Sequence, residues 1–267
     1  MSLSILLVGC GKMGGAMLSG WLETTLRPQD VVIVEPGGGA TAPAGVRVVE
    51  SAEAVPADFR PDAVVLAVKP QVMADVLPAY RRFVAPGTVF LSVAAGRTLA
   101  FFAQALGETA AVVRAMPNTP AAVGRGITVC CPNAPVDTAM RDRCTALLQA
   151  VGTVAWVEDE AHMDAVTAVS GSGPAYVFLL AEAMTRAGIA AGLPADLAAQ
   201  LARATICGAG ELMHRSPEEP ATLRQNVTSP GGTTAAALAV LMADDGLDAL
   251  MIRAVAAAAH RSRELAG

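Results

Sequence analysis

Apolar and polar residues alternate along this chain in two rhythms. Up to about Val157, short runs rich in Val, Ile and Leu are separated by longer stretches in which apolar residues recur every three or four positions. The short runs predict strands at Ile5–Val8, Val31–Val34, Arg47–Val49, Ala63–Val68, Thr88–Val93, Ala111–Arg114, Gly126–Cys130 and Thr153–Val157. The longer stretches predict helices after residue 12, from Ser51, over Val72–Val84, from Thr98 and over Asp137–Val151. Alternating strands and helices, with strands apolar almost throughout, predict a parallel sheet covered on both faces. From Glu158-Asp159-Glu160 onward only the helical rhythm remains. It predicts helices over Glu160–Val169, Pro174–Ala191, Pro194–Met213, Pro217–Val227, Thr233–Met242 and Leu247–Leu265, with Pro174, Gly192 and Pro194 as start and stop signals. The fold class is therefore α/β: a doubly wound parallel sheet over residues 1–158, then an all-α domain over residues 159–267. Several of the later helices are apolar almost all round, which predicts burial in a helical core or between subunits.

The most informative stretch is the first strand together with the turn after it. Ile5-Leu6-Leu7-Val8 runs directly into Gly9-Cys10-Gly11-Lys12-Met13-Gly14. In such a loop the first glycine permits a tight turn, the second lets the backbone approach a pyrophosphate, and the third lets helix and strand pack closely. The helix that opens there points its free N–H groups at the phosphates. Glu35 ends the second strand 21 residues beyond Gly14, the distance expected for a group that reads ribose hydroxyls. Glycine turns alone are common, but both flanks and the acid are in register here, so the segment predicts a Rossmann-type dinucleotide site. In a parallel sheet the ligand lies beyond the carboxyl ends of the strands. Gly9–Gly14, Glu35, Ala67–Pro70 and Val93–Ala95 should then share one edge.

Composition narrows the reading. The chain has 267 residues, 53% of them hydrophobic and only 16% charged, which is more apolar surface than a soluble monomer needs. Uncharged runs such as Ala165–Ala181 and Thr228–Ala243 are interrupted by Gly-Pro or Pro-Gly-Gly and are short for a membrane span, so subunit interfaces are the expected sink. The N-terminus lacks the basic n-region of a signal peptide. Net charge is −5 without a basic stripe, which argues against nucleic acid as a partner. Five cysteines without a C-x-x-C pair fit a reducing cytoplasm, and His162, His214 and His260 are too far apart in sequence to suggest a metal site.

Other motifs carry a bland and a functional reading each. Lys12 and Lys69 are the only lysines, and both fall in predicted cofactor loops; Lys69 otherwise reads as a solvated strand-end residue. Met116-Pro117-Asn118-Thr119-Pro120 is either a rigid turn or a floor beneath a nicotinamide. Ser170-Gly171-Ser172-Gly173-Pro174 is a flexible break before a buried helix, and its serine spacing excludes a hydrolase elbow. Asn226-Val227-Thr228-Ser229-Pro230-Gly231-Gly232-Thr233-Thr234 precedes an uncharged helix. Its Pro-Gly-Gly turn would expose backbone N–H groups suited to a small carboxylate, the alternative being a plain N-cap by Thr233 or Thr234. His162 and His214 read as surface or packing residues.

Taken together, G-C-G-K-M-G, A-V-K-P-Q, S-V-A-A-G, M-P-N-T-P, S-G-S-G-P-A-Y and N-V-T-S-P-G-G-T-T resemble pyrroline-5-carboxylate reductase, in order from Leu6 to about Arg253. The resemblance implies an N-terminal Rossmann domain, a helical dimerisation domain, and dimers that can assemble into rings such as decamers. It implies NADP(H)- or NAD(H)-dependent reduction of the cyclic imine 1-pyrroline-5-carboxylate to proline. Carried over by position, Gly9, Cys10, Gly11, Lys12, Met13, Gly14, Glu35, Ala67, Val68, Lys69, Pro70, Val93, Ala94 and Ala95 would line the cofactor. Glu160, Asn226, Ser229, Gly232, Thr233 and Thr234 would face the substrate, an imino acid. Thr234 would hold the imine nitrogen during catalysis. Many relatives carry a small polar or basic cluster after the second strand, whereas Glu35-Pro36-Gly37-Gly38-Gly39 offers a carboxylate and no cation. By charge this points toward NADH, or at least dual use. Relatives also often have an asparagine where this chain has Ser51-Ala52-Glu53. A β-hydroxyacid dehydrogenase would need a lysine in the helical domain, and none follows Lys69. A non-catalytic dinucleotide sensor would have no use for an anion-binding turn there.

Overall fold

The computed structural model describes residues 3–36 and 42–266. Gly37 to Gly39, part of the glycine stretch after Glu35, lie outside the described residues. Eight strands form one sheet: β1 Ile5–Val8, β2 Val31–Val34, β3 Arg47–Val49, β4 Ala63–Leu66, β5 Val89–Ser92, β6 Ala111–Met116, β7 Gly126–Pro132 and β8 Gly152–Trp156. Their spatial order is β3-β2-β1-β4-β5-β6-β7-β8. The chain runs outward to β3 and then crosses back to β4 beside β1, so the topological switch point lies between β1 and β4.

Alternation along the strands divides the core in two. Ile5, Leu7, Ile33, Val65, Leu91 and Val113 face one cluster, closed by Met17 and Trp21 of helix α1 (Lys12–Thr24). Leu6, Val8, Val32, Val64, Leu66, Phe90 and Val112 face the other. Both faces are thus covered, as the unbroken apolar strands predict. The second face is closed by the segment 70–83, a one-turn helix α2 (Met73–Val76) between 3-10 turns, and by helix α3 (Leu99–Leu106). A single helix over Val72–Val84 is not what forms. Pro78 has no N–H to donate, and the segment tightens into a 3-10 helix from Leu77. The helix expected from Ser51 is likewise only a 3-10 turn, Ala52–Ala54.

The sheet is not wholly parallel. β7 runs antiparallel to β6, with Arg114 opposite Cys131, while β8 returns parallel to β7 through helix α4 (Thr138–Gln149). Only residues 117–125 connect β6 to β7, too few for a crossover helix, whereas a hairpin-like reversal needs no more.

After β8 come a 3-10 turn (Glu160–His162), a one-turn helix α5 (Met163–Val166) and a π-helical turn (Thr167–Gly171). The flexible break expected at Ser170-Gly171 is therefore part of a wound π-helical turn. Helices α6 (Gly173–Ala190), α7 (Ala195–Arg215), α8 (Pro220–Asn226), α9 (Thr233–Leu241) and α10 (Leu247–Ala266) follow. Two compact units divide at Gly171, not at the expected 158/159 boundary: one holds residues 1–171 and 259–267, the other residues 172–258. The reason lies in side chains. Met163 is buried with Val129 and Cys131, Glu160 bonds to Arg114, and Asp164 accepts the Ser262 hydroxyl at 2.6 Å.

In the second unit, α6 and α7 pack against each other, with Gly188 brought close to Ala198. Their remaining faces are bare. Phe178, Leu179 and Leu180 of α6 and Leu201 and Leu212 of α7 are all exposed, so of the two expected sinks, a helical core or a subunit interface, the core of this one chain does not bury α6. Among the described residues, no helix is long and apolar enough to cross a membrane.

Candidate functional site

In the first unit, strand register sets the site. Val8 lies level with Val34 and Leu66, Leu66 with Ser92, and Ser92 with Arg114. The next residues, Gly9, Glu35, Ala67 and Val93, therefore emerge side by side at the carboxyl edge. The ladder carries on one step past the strands: Gly9 N–H donates to Val34 O, Ala67 N–H to Val8 O, and Val93 N–H to Leu66 O. The edge residues expected to line a cofactor are thus brought together and fixed by main-chain bonds.

Gly9 adopts φ +86°, a left-handed conformation that glycine enters without strain. At Gly14 the constraint is contact rather than torsion. A Cβ there would lie 2.4 Å from Gly9 O and 3.3 Å from the Ala67 methyl, so helix, loop and neighbouring strand meet without side chains between them. A Cβ at Gly11 would meet nothing within 4 Å. Helix α1 has no side-chain cap and no acid in its first turn. An open, uncapped helix start beside a bare glycine suits a pyrophosphate. Lys12 and Lys69 are both exposed at this edge.

Two further contacts tie the loops together. Arg97 donates from Nε and Nη2 to Pro70 O at 3.0 and 2.6 Å, and its guanidinium stacks on Phe101 at 4.7 Å. This clamp links the loop after β4 to the loop after β5, and the sequence reading missed it. The signal was an arginine directly after S-V-A-A-G. Asn118 uses its side-chain carbonyl to accept from Ile127 N–H at 3.0 Å, holding the Met116–Pro120 loop to the start of β7.

Glu160 departs from expectation. Its Oε1 accepts from Leu99 N–H at 2.8 Å, at the start of α3, and from Arg114 Nη1 at 2.7 Å. Arg114 is only 6% exposed. A buried cation needs a partner, and Glu160 is that partner. Its Oε1 therefore serves the structure, tying the start of α3 to β6.

In the second unit, Ser229-Pro230-Gly231-Gly232 forms a tight turn closed by Gly232 N–H donating to Ser229 O, with Gly231 at φ +69°. Pro and then a left-handed Gly at the central positions are the signature of a type II turn. Gly232 is the N-cap of α9, which has no side-chain cap and no acid in its first turn. Thr233 and Thr234 are consequently the first two helical residues, not caps, and the leading N–H groups stay open. Thr234 is half-buried and Thr233 exposed. The Ser229 hydroxyl lies close over Gly232, where a Cβ would sit 2.4 Å from it. The Asn226 amide is engaged elsewhere, donating to Glu218 Oε2 at 3.2 Å. Among the described residues no His, Cys, Asp or Glu cluster could hold a metal ion.

A doubly wound sheet with a glycine-rich phosphate loop at its switch point and an acid after β2 defines a dinucleotide-dependent oxidoreductase. Comparison with known proteins agrees and goes further. Residues 4–96 match the family model described as "NADP oxidoreductase coenzyme F420-dependent", and residues 160–265 match "Pyrroline-5-carboxylate reductase dimerisation". The pyrroline-5-carboxylate reductase of Pseudomonas aeruginosa is 44% identical over 98% of this chain and 96% of its own length. A solved pyrroline-5-carboxylate reductase from Coxiella burnetii superposes with a TM-score of 0.90 at 31% identity, covering 99% of both chains. The Plasmodium falciparum pyrroline carboxylate reductase, solved with NADP bound, gives 0.81 at 27% identity and covers 99% of this chain and 98% of its own. The chain belongs to the pyrroline-5-carboxylate reductase family.

Proposed function

We propose that this chain reduces 1-pyrroline-5-carboxylate to L-proline with NAD(P)H, the last step of proline synthesis. End-to-end likeness to curated reductases carries the reading, and the open ends of α1 and α9 supply binding sites of the right chemistry. Gly9–Gly14, Ala67–Pro70 and Val93–Ala95 hold the dinucleotide, whose reduced nicotinamide supplies a hydride to the imine carbon. The Ser229–Thr234 turn holds the substrate: Gly232 N–H closes the turn onto Ser229 O, and the open N–H groups of Thr233 and Thr234, with the Ser229 hydroxyl, take the carboxylate. The Thr234 hydroxyl holds the imine nitrogen. A threonine is a poor acid, so the proton that activates the imine arrives with the substrate or through water. The protein's contribution is orientation and exclusion of water.

The bare apolar faces of α6 and α7 support a homodimer built through the helical domain, which can assemble further into a ring such as a decamer. Free thiols support a reducing cytoplasm: all five cysteines are unpaired, three of them buried.

The test follows absorbance of the reduced nicotinamide with purified protein and pyrroline-5-carboxylate. Imine-dependent oxidation is expected, and its absence with both NADH and NADPH would sink the reductase reading. Thr234→Ala should lower kcat/KM by about 100-fold, the scale of losing a group used in the transition state, while cofactor binding persists. Unchanged turnover would remove Thr234 from the mechanism.

A further inference from the structure

The carboxyl ends of β2 and β3 carry an arrangement that fits one form of the dinucleotide and not the other. Glu35 is pinned at both ends. Its backbone N–H donates to Val49 O at 3.0 Å, and its side-chain Oε2 accepts from the Cys10 N–H of the glycine loop. A phosphate on the ribose 2′ oxygen would look here for backbone N–H donors and cations. The donor of Cys10 is already taken by the Glu35 carboxylate, so a phosphate approaching this N–H would meet a negative charge instead of a free donor.

Apart from Lys12 of the glycine loop, the sequence that follows β2 and β3 carries little compensating charge. Residues 36–41 contain no Lys or Arg, and the residue after β3 is Glu50. Arg47 sits level with Val32, toward the opposite end of β3 from Val49, which lies level with Val34. Arg82 turns Nη2 to the carbonyls of Ala52 and Val55, at 2.6 and 3.0 Å. The charge of Glu35 is felt at the loop itself. The Cys10 thiol is held above its usual range, first by burial and then by Glu35.

We infer that Glu35, locked onto the Cys10 N–H, makes this protein an NADH enzyme: its carboxylate accepts the free 2′-hydroxyl of NADH and repels the 2′-phosphate of NADPH. The inference rests on the proposed cofactor site but not on the identity of the substrate. It also sets this chain apart from the NADP-bound relative and from the NADP-type family model matched by the same segment. A hydroxyl bound by a carboxylate adds affinity, and a dianion brought against the same carboxylate loses it, so both effects widen one ratio.

The decisive experiment measures dissociation constants for NADH and NADPH by fluorescence titration of the full-length protein, without imine, alongside imine-dependent kcat/KM for each. The native protein should bind NADH at least about tenfold more tightly than NADPH, like-charge contact being costly in a desolvated site. Glu35→Gln, which keeps an oxygen acceptor for Cys10 N–H but removes the charge, should bring the ratio to within about threefold, mainly by tightening NADPH. Glu35→Asp keeps the charge and should keep the preference for NADH. Should Glu35→Gln unfold, as thermal melting would reveal, the native ratio and the Glu35→Asp ratio still decide. Equal affinities in the native protein, or an unchanged ratio in a folded Glu35→Gln variant, would overturn the inference. A tenfold binding ratio without imine-dependent turnover would sink the reductase reading and leave this one standing.

Discussion

At Gly14, one hydrogen atom in place of a methyl group decides whether the first strand and first helix can meet. The atom a Cβ would strike is a backbone oxygen, Gly9 O at 2.4 Å, and backbone cannot rotate away as a side chain can. Gly14→Ala should therefore cost about 1–3 kcal/mol of stability, the scale of overpacking a tight core. It should also weaken NADH binding by about 10- to 100-fold if, as proposed, the glycine loop holds the phosphates, since the shift falls on that loop. Chemical denaturation and a fluorescence titration would measure the two effects. Retained affinity would show that the phosphates do not depend on this approach. The glycine loop and its acid were legible in the sequence because spacing alone constrains them. The role of Glu160 was not, because it depends on Arg114, 46 positions away, being buried and in need of a partner.

Whole elements were legible wherever apolar periodicity was regular. The strands β1, β2, β4 and β5 are each buried along their whole length, and their sequences show it. Direction was harder: β7 has the same apolar character whether it runs with β6 or against it, and only the short connection betrays the reversal. Helix type was lost where prolines break the periodicity, as in the segment 70–83. The Arg97 clamp also belongs to this scale, because it joins two loops rather than serving one residue. Arg97→Ala removes two hydrogen bonds from a cation, worth roughly 1.5–3 kcal/mol each at most, and a ring contact worth roughly 0.5–1 kcal/mol. Because the arginine is partly solvated, the net loss in stability should be only about 1–2 kcal/mol. KM for the cofactor should rise while kcat changes little, with Arg97→Lys recovering only part of the effect because it lacks the planar fork. Steady-state kinetics at varied cofactor concentration would test this, and an unchanged KM would show that the two loops hold their places without the clamp.

For the molecule as a whole, the second unit shows what a single chain's sequence leaves open. The all-round apolar helices were visible, but whether their faces meet each other or another copy depends on surfaces outside the chain. Within one chain, a groove of about 620 Å³ remains along α6 and α7, lined by Val177, Phe178, Ala199, Ile206 and Cys207 among others. Exposed apolar surface of this kind marks an association site. Cys207 offers a simple gauge, since it is exposed here while Cys130, Cys131 and Cys144 are buried. If a second copy covers this groove, Cys207 should react slowly with a thiol reagent at high protein concentration and faster on dilution below the dimer's dissociation range. The three buried thiols should react only on unfolding. A Cys207 rate independent of concentration, in protein whose oligomeric state does change, would place the interface elsewhere.

The unit that holds the dinucleotide site is not continuous in sequence. It takes residues 259–267 from beyond an 87-residue stretch that belongs to the other unit. Ser262 bonds to Asp164, and Leu265 lies against Gly96, next to the loop after β5. On the ribosome these partners become available long after the sheet itself has emerged. The sheet can form early, but its last piece arrives only when synthesis has passed Leu265. The intervening helices are therefore made while the first unit is still incomplete. Closing so long a loop costs little more entropy than closing a short one, so the delay is one of order rather than of energy. The nucleotide half of the protein is thus begun first and finished last.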